Sequence, residues 1–131
     1  MRHSGTIAES TEKSRAMKIR HNGTLMRIYV SQSHHRDRAE VHQLIVKALA
    51  DAQIGGATAF LGIEGFGSHH YVSNAFAVDA YVDLPILIEA VDEDDEKIRN
   101  FIPKLETILE DGLVTIERLQ TIFYRSNGNE T

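Results

Sequence analysis

A chain of 131 residues with 42% hydrophobic and 25% charged residues has the length and apolar content of one domain, and its lack of cysteine excludes a disulfide framework or a thiolate metal site. The formal net charge of −5 is unevenly spread: residues 1–23 hold Arg2, Lys13, Arg15, Lys18 and Arg20 against Glu9 and Glu12, so the remainder is more acidic and poorly suited to broad nucleic-acid binding. No apolar run reaches signal-peptide or membrane-spanning length, so the expected setting is cytoplasmic, without direct membrane insertion.

Residues 1–23 have few large apolar side chains and no sustained periodicity, the composition of an extension that is flexible or ordered by a partner. The domain proper is expected over residues 24–126, followed by a short flexible tail over 127–131. Met26, Ile28 and Val30 alternate with Arg27 and Tyr29, predicting a half-buried strand over 25–31. Asp37 precedes Val41, Leu44, Ile45, Ala48, Leu49 and Ala52, whose spacing puts them on one face of a helix stopped by Gly55-Gly56. A second strand is expected over 57–62, leaving through Gly62, Gly65 and Gly67, which permit positive φ angles. Phe76, Val78, Ala80 and Val82 alternate, while residues 84–91 are more continuously apolar and form the third strand. Pro85, which lacks a backbone donor, belongs near that strand's start or with its nitrogen facing away from the ladder.

Asp92 reads as the N-cap of a second helix whose acidic first turn, Glu93 to Glu96, complements the helix dipole. Ile98, Phe101, Ile102, Leu105, Ile108 and Leu109 supply its apolar face; Pro103 is expected to kink or divide it, and Gly112 to end it. The last strand is expected over 113–124, with a bulge or break where the apolar phase changes near Arg118. The order β-α-β-β-α-β predicts an α+β, ferredoxin-like βαββαβ sandwich: a four-stranded antiparallel sheet with two helices on one face.

Function turns on GGATAFLGIEGFG at 55–67, a strand between two glycine clusters. Consecutive amides unshielded by side chains can hold phosphate oxygens, and an apolar strand edge can hold a base; the alternative role of such an exit is a tight turn. The order Gly-x-x-Gly-x-Gly, followed by Ser68-His69-His70-Tyr71 instead of a helix, does not fit a dinucleotide fingerprint. His34, His35, His69 and His70 lie in two predicted loops and offer the alternative of a zinc site, as neutral imidazoles bind first-row metals; adjacent histidines are also common solvated surface. Asp79, Asp83, Glu89 and Asp92 share no catalytic spacing, so the reading is of a non-enzyme with no required cofactor.

The run at 55–67, DLPILIEAVDEDDEKI at 83–98 and EDGLVTIERL at 110–119 together resemble the PII-like family catalogued as domain of unknown function 190, related to the PII signal-transduction proteins. The resemblance covers residues 25–125 and implies a regulatory homotrimer that binds an adenine nucleotide in clefts between subunits and signals to a partner, by analogy a transporter or channel. Carried over by position, it implies nucleotide contacts at Gly56, Thr58, Gly62, Gly65, Phe66, Gly67, Asp111 and Gly112. Leu113 occupies the place of the phosphate-binding lysine of PII proteins, the paired arginines of their last strand have no counterpart in Gln120 to Tyr124, and Leu61 stands where a basic residue is expected in the closer family. AMP or ADP is therefore favoured over tight ATP binding.

Overall fold

The computed structural model describes residues 21–32, 35–36, 39–67, 72–76 and 83–122. β1 (His21–Ser31) begins earlier than its apolar alternation, and directs Met26, Ile28 and Val30 to the core while Arg27 and Tyr29 face the other way. α1 (Val41–Asp51) buries Val41, Ile45 and Leu49 and has Glu40, without a side-chain cap bond, in the N-cap position; Asp37 lies outside the described residues. β2 (Gly56–Leu61) and β3 (Pro85–Asp92) follow, then α2 (Asp95–Ile108) and β4 (Leu113–Thr121). Two short ladders, His35–Arg36 with Ala39–Glu40 and Glu64–Gly65 with Ser73–Asn74, decorate the connections.

The four long strands form an antiparallel sheet in the order β2-β3-β1-β4, the ferredoxin-like arrangement expected of the chain. Its core lies between one sheet face and the helices: Met26, Ile28, Val30, Ile86, Ile88 and Ala90 meet Val41, Ile45, Leu49, Ile98, Phe101 and Leu105. Burial of each large aliphatic or aromatic side chain contributes about 1.5–3 kcal/mol, so this layer dominates stability. The opposite face has no helix across it among the described residues. It carries Arg27, tied to Glu89 at 3.1 Å and to Glu117 at 2.9 Å, together with the exposed apolar groups of Tyr29, Phe60 and Leu113.

Four local expectations are corrected. α1 is stopped by Gln53, at φ 61, two residues before the glycine pair. The N–H of Gln53 donates to the Ala50 carbonyl and that of Ile54 to the Leu49 carbonyl, a Schellman closure with glutamine in the left-handed place. Asp94, not Asp92, caps α2: its carboxylate accepts from the Glu96 amide at 3.0 Å. Pro103 does not divide α2, which runs unbroken because Phe101, Leu105 and Ile108 hold its buried face against the sheet; the helix ends at Ile108, before Gly112. β4 has no bulge, since its register with β1 is continuous from Leu113 opposite Tyr29 to Thr121 opposite His21. The apolar phase changes because Val114 and Ile116 face the helices while Leu119 faces the open side, over Gly23. The N-terminal extension through residue 20, the C-terminal tail and the alternating stretch from 77 to 82 lie outside the described residues.

Candidate functional site

The glycine-rich segment leaves β2 at the end of the sheet where β3 begins. Pro85 opens β3 there, as its missing N–H requires, and its carbonyl accepts the Gly62 amide at 2.7 Å. Gly62 and Gly65 lie against the Pro85 ring, where an added Cβ would stand 2.7 and 3.1 Å from its Cγ. Ile63 then accepts the Ala75 amide at 2.7 Å, and the Glu64–Gly65 ladder with Ser73–Asn74 closes the base of a hairpin. Phe66, directly after that ladder, is 61% exposed. None of Gly62, Gly65 and Gly67 has a positive φ; Gly62 and Gly65 are required by close approach to Pro85 instead of by left-handed backbone.

Two of the candidate glycines have no such steric reason. A Cβ on Gly56 or Gly67 would meet nothing within 4 Å among the described residues. Gly56 is near the opposite end of β2, roughly 20 Å from Gly62 at 3.4 Å per residue. Thr58 lies between them, opposite Glu89 on the open face. Asp111 and Gly112 precede β4, at the same end as Gly62 but on the far edge of the sheet, three strand spacings or roughly 14 Å away. Gly112, at φ 145, has an internal reason: a Cβ there would come within 2.7 Å of the Tyr29 carbonyl. One chain therefore gathers Gly62, Gly65, Phe66 and Gly67, but not Gly56 or the Asp111-Gly112 pair.

The alternative metal ligands cannot be assembled from the described residues: His34, His69 and His70 lie outside them, and His35 is described in its backbone alone. Among the described residues no three His, Cys, Asp or Glu side chains converge. His42 Nδ1 stands 3.4 Å from Glu40 Oε1, a single pair. Of the carboxylates weighed for catalysis, Asp79 lies outside the described residues and Glu89 is paired with Arg27.

Asp92 has a role that its reading as a cap missed. It is 8% exposed, and accepts the Gly55 amide on Oδ2 and the Asp94 amide on Oδ1, each at 2.7 Å, with Lys97 Nζ 3.4 Å from Oδ2. It thus ties the entry to β2, the strand bearing Gly56 and Thr58, to the exit from β3. The signal for it in the sequence, an aspartate at the end of an apolar strand facing a glycine pair, is also the signal for a cap. Close by, Thr24 Oγ1 donates to Asp95 Oδ1 at 2.6 Å; this bond, followed by that from Arg99, holds the Asp95 carboxyl below its ordinary range.

Comparison with solved structures places this architecture. CPII, a nitrogen regulatory PII-like protein from Thiomonas intermedia K12, superposes with a TM-score of 0.50 over 79% of this chain and 92% of its own, at 19% identity; in separate structures it is bound to ADP and bicarbonate, and to ADP, AMP and bicarbonate. At that identity the likeness is one of fold. A UPF0166 protein of Methanocaldococcus jannaschii is 33% identical over 96 residues, 70% of this chain and 84% of the relative. A UPF0166 protein of Aquifex aeolicus is 33% identical over 97 residues, 73% of this chain and 93% of the relative. The family model DUF190, described as uncharacterized ACR, matches residues 23–121, a span that takes in both helices and the four long strands apart from the first two residues of β1. The chain belongs to the DUF190 family and has the fold of PII-like proteins.

Proposed function

We propose that the protein is a non-catalytic, cytoplasmic regulator that binds an adenine nucleotide, AMP or ADP, in clefts between the subunits of a homotrimer. The observation that carries this reading is the division of the motif residues. Gly62 to Gly67 and the Asp111-Gly112 pair sit at one end of the sheet but on opposite edges, so a neighbouring copy is needed to bring an Asp111-Gly112 turn beside a glycine loop. The ADP and AMP bound to the structurally similar CPII support the choice of ligand. An open sheet face with exposed Tyr29, Phe60 and Leu113 supports burial against other copies. Contacts are assigned to Gly56, Thr58, Gly62, Gly65, Phe66, Gly67, Asp111 and Gly112. Nucleotide binding would order the hairpin loop only as far as the nucleotide prefers the ordered state, and the ordered loop is the surface offered to a target protein, by analogy a transporter or channel.

Gly67→Val tests the site most directly, because the position lies in the glycine loop, a Cβ there meets nothing within 4 Å among the described residues and its φ is not positive. Calorimetric titration with ADP is expected to show at least about tenfold weaker binding, a loss of roughly 1.4 kcal/mol, with unchanged assembly by light scattering. A wild-type isotherm would remove the site. Gly65→Val is a poorer test, since its side chain also crowds Pro85.

A further inference from the structure

Between α1 and α2 lies a shallow groove of about 370 Å3, open to solvent. Ala48 and Ala52 form the α1 wall and are small enough to leave the gap; Phe101 lies beneath it but, 3% exposed, is already packed in the core. The α2 wall presents Lys97, Asn100 and Lys104, which follow one another at three and four residues and so share a helical face. Two of the charges are already balanced. Lys97 Nζ lies 3.4 Å from Asp92, and Asp51, on the α1 wall, is held by Lys47 at 3.1 Å. The carbonyls at the negative end of α1 are likewise engaged, those of Ala48, Leu49 and Ala50 accepting the amides of Ala52, Ile54 and Gln53. Lys104 makes no ion pair among the described residues, so the charge left over at the cleft is positive.

We propose that this cleft is a ligand site, separate from the candidate nucleotide residues, for a small organic anion with an apolar body. The body lies between the two alanines and the lysine stems, the anionic group meets Lys104 with Lys97 behind it, and Asn100 supplies a further polar contact. The methyl groups of Ala48 and Ala52 and the aliphatic stems of Lys97 and Lys104 give the apolar contact, and the unbalanced lysine gives the sign of the ligand's charge. The site does not depend on the nucleotide reading, because none of its lining residues is assigned to nucleotide.

Benzoate and benzyl alcohol, matched in shape and different in charge, serve as probes of the full-length 15N-labelled protein in 1H–15N correlation spectra. With benzoate, the amides of Ala48, Ala52, Asn100, Phe101 and Lys104 are expected to shift saturably. Binding should weaken by roughly tenfold in Lys104→Glu, an exposed position whose change leaves the fold intact, and by a similar factor for benzyl alcohol. Absence of a saturable shift with benzoate, equal binding of the uncharged probe, or wild-type affinity in Lys104→Glu would each overturn the proposal.

Discussion

Gln53 occupies a left-handed position, at φ 61, that a side chain enters only at a cost of roughly 1–2 kcal/mol. Its backbone bonds already form the Schellman closure, so Gln53→Gly should keep the structure and raise stability by about 1 kcal/mol, read as a higher urea midpoint at unchanged slope. A lower midpoint would mean that the glutamine side chain makes a compensating contact. Asp95 gives a second test. Its folded pKa is depressed, first by the Thr24 hydroxyl and then by Arg99, so its contribution to stability is fully present above the unfolded pKa and is lost as pH falls through the folded value. Thr24→Val removes the larger cause; the Asp95 carboxyl, followed by NMR, should then titrate closer to its ordinary range, and acid unfolding should begin at higher pH. An unchanged Asp95 midpoint would contradict that assignment. At this scale the sequence was an ambiguous guide: a glycine pair after a helix and an aspartate before one are ordinary stop and start signals, yet the chain turns at Gln53 on backbone bonds local to the helix end, and caps with Asp94 because Asp92 is engaged by a residue distant in sequence. Asp92 is drawn away from capping by the Gly55 amide 37 positions earlier.

Most elements were legible because they are written in a period. Alternation in β1 and the three-and-four spacing in both helices match the buried sets observed, β3 was legible as a continuous apolar run whose alternate burial appears only in the fold, and the split βαβ order fixed the sheet's strand order. Pro103 shows where local preference yields to packing: the missing amide weakens α2, but the buried row from Ile98 to Ile108 keeps it whole. The join between β2 and β3 was not legible, since it depends on one buried carboxylate accepting two amides. Asp92→Ala leaves the Gly55 and Asp94 amides without that acceptor, and is expected to cost about 2–4 kcal/mol in urea unfolding, with faster hydrogen exchange at Gly55. A loss well under that range, with unchanged exchange at Gly55, would show that water replaces the carboxylate.

For the whole molecule, one face of the sheet is covered and the other carries apolar side chains around the Arg27, Glu89 and Glu117 network. That distribution could not be read from apolar periodicity, because a strand alternates in the same way whether its second face meets water or another chain. The proposed assembly on this face would make Phe60→Lys combined with Leu113→Lys a dissociating pair: circular dichroism should be retained while light scattering falls to the monomer mass. Retention of the assembly would place the interface elsewhere. The candidate site was legible as a set of residues but not as a place, since its members sit on both edges of one sheet and become a site only if copies associate. Native mass spectra of the full-length protein, alone and with ADP or AMP, measure association and ligand together. A trimer that gains one adenine nucleotide per intersubunit cleft is expected; a monomer, or a trimer that gains none, would contradict the proposed function.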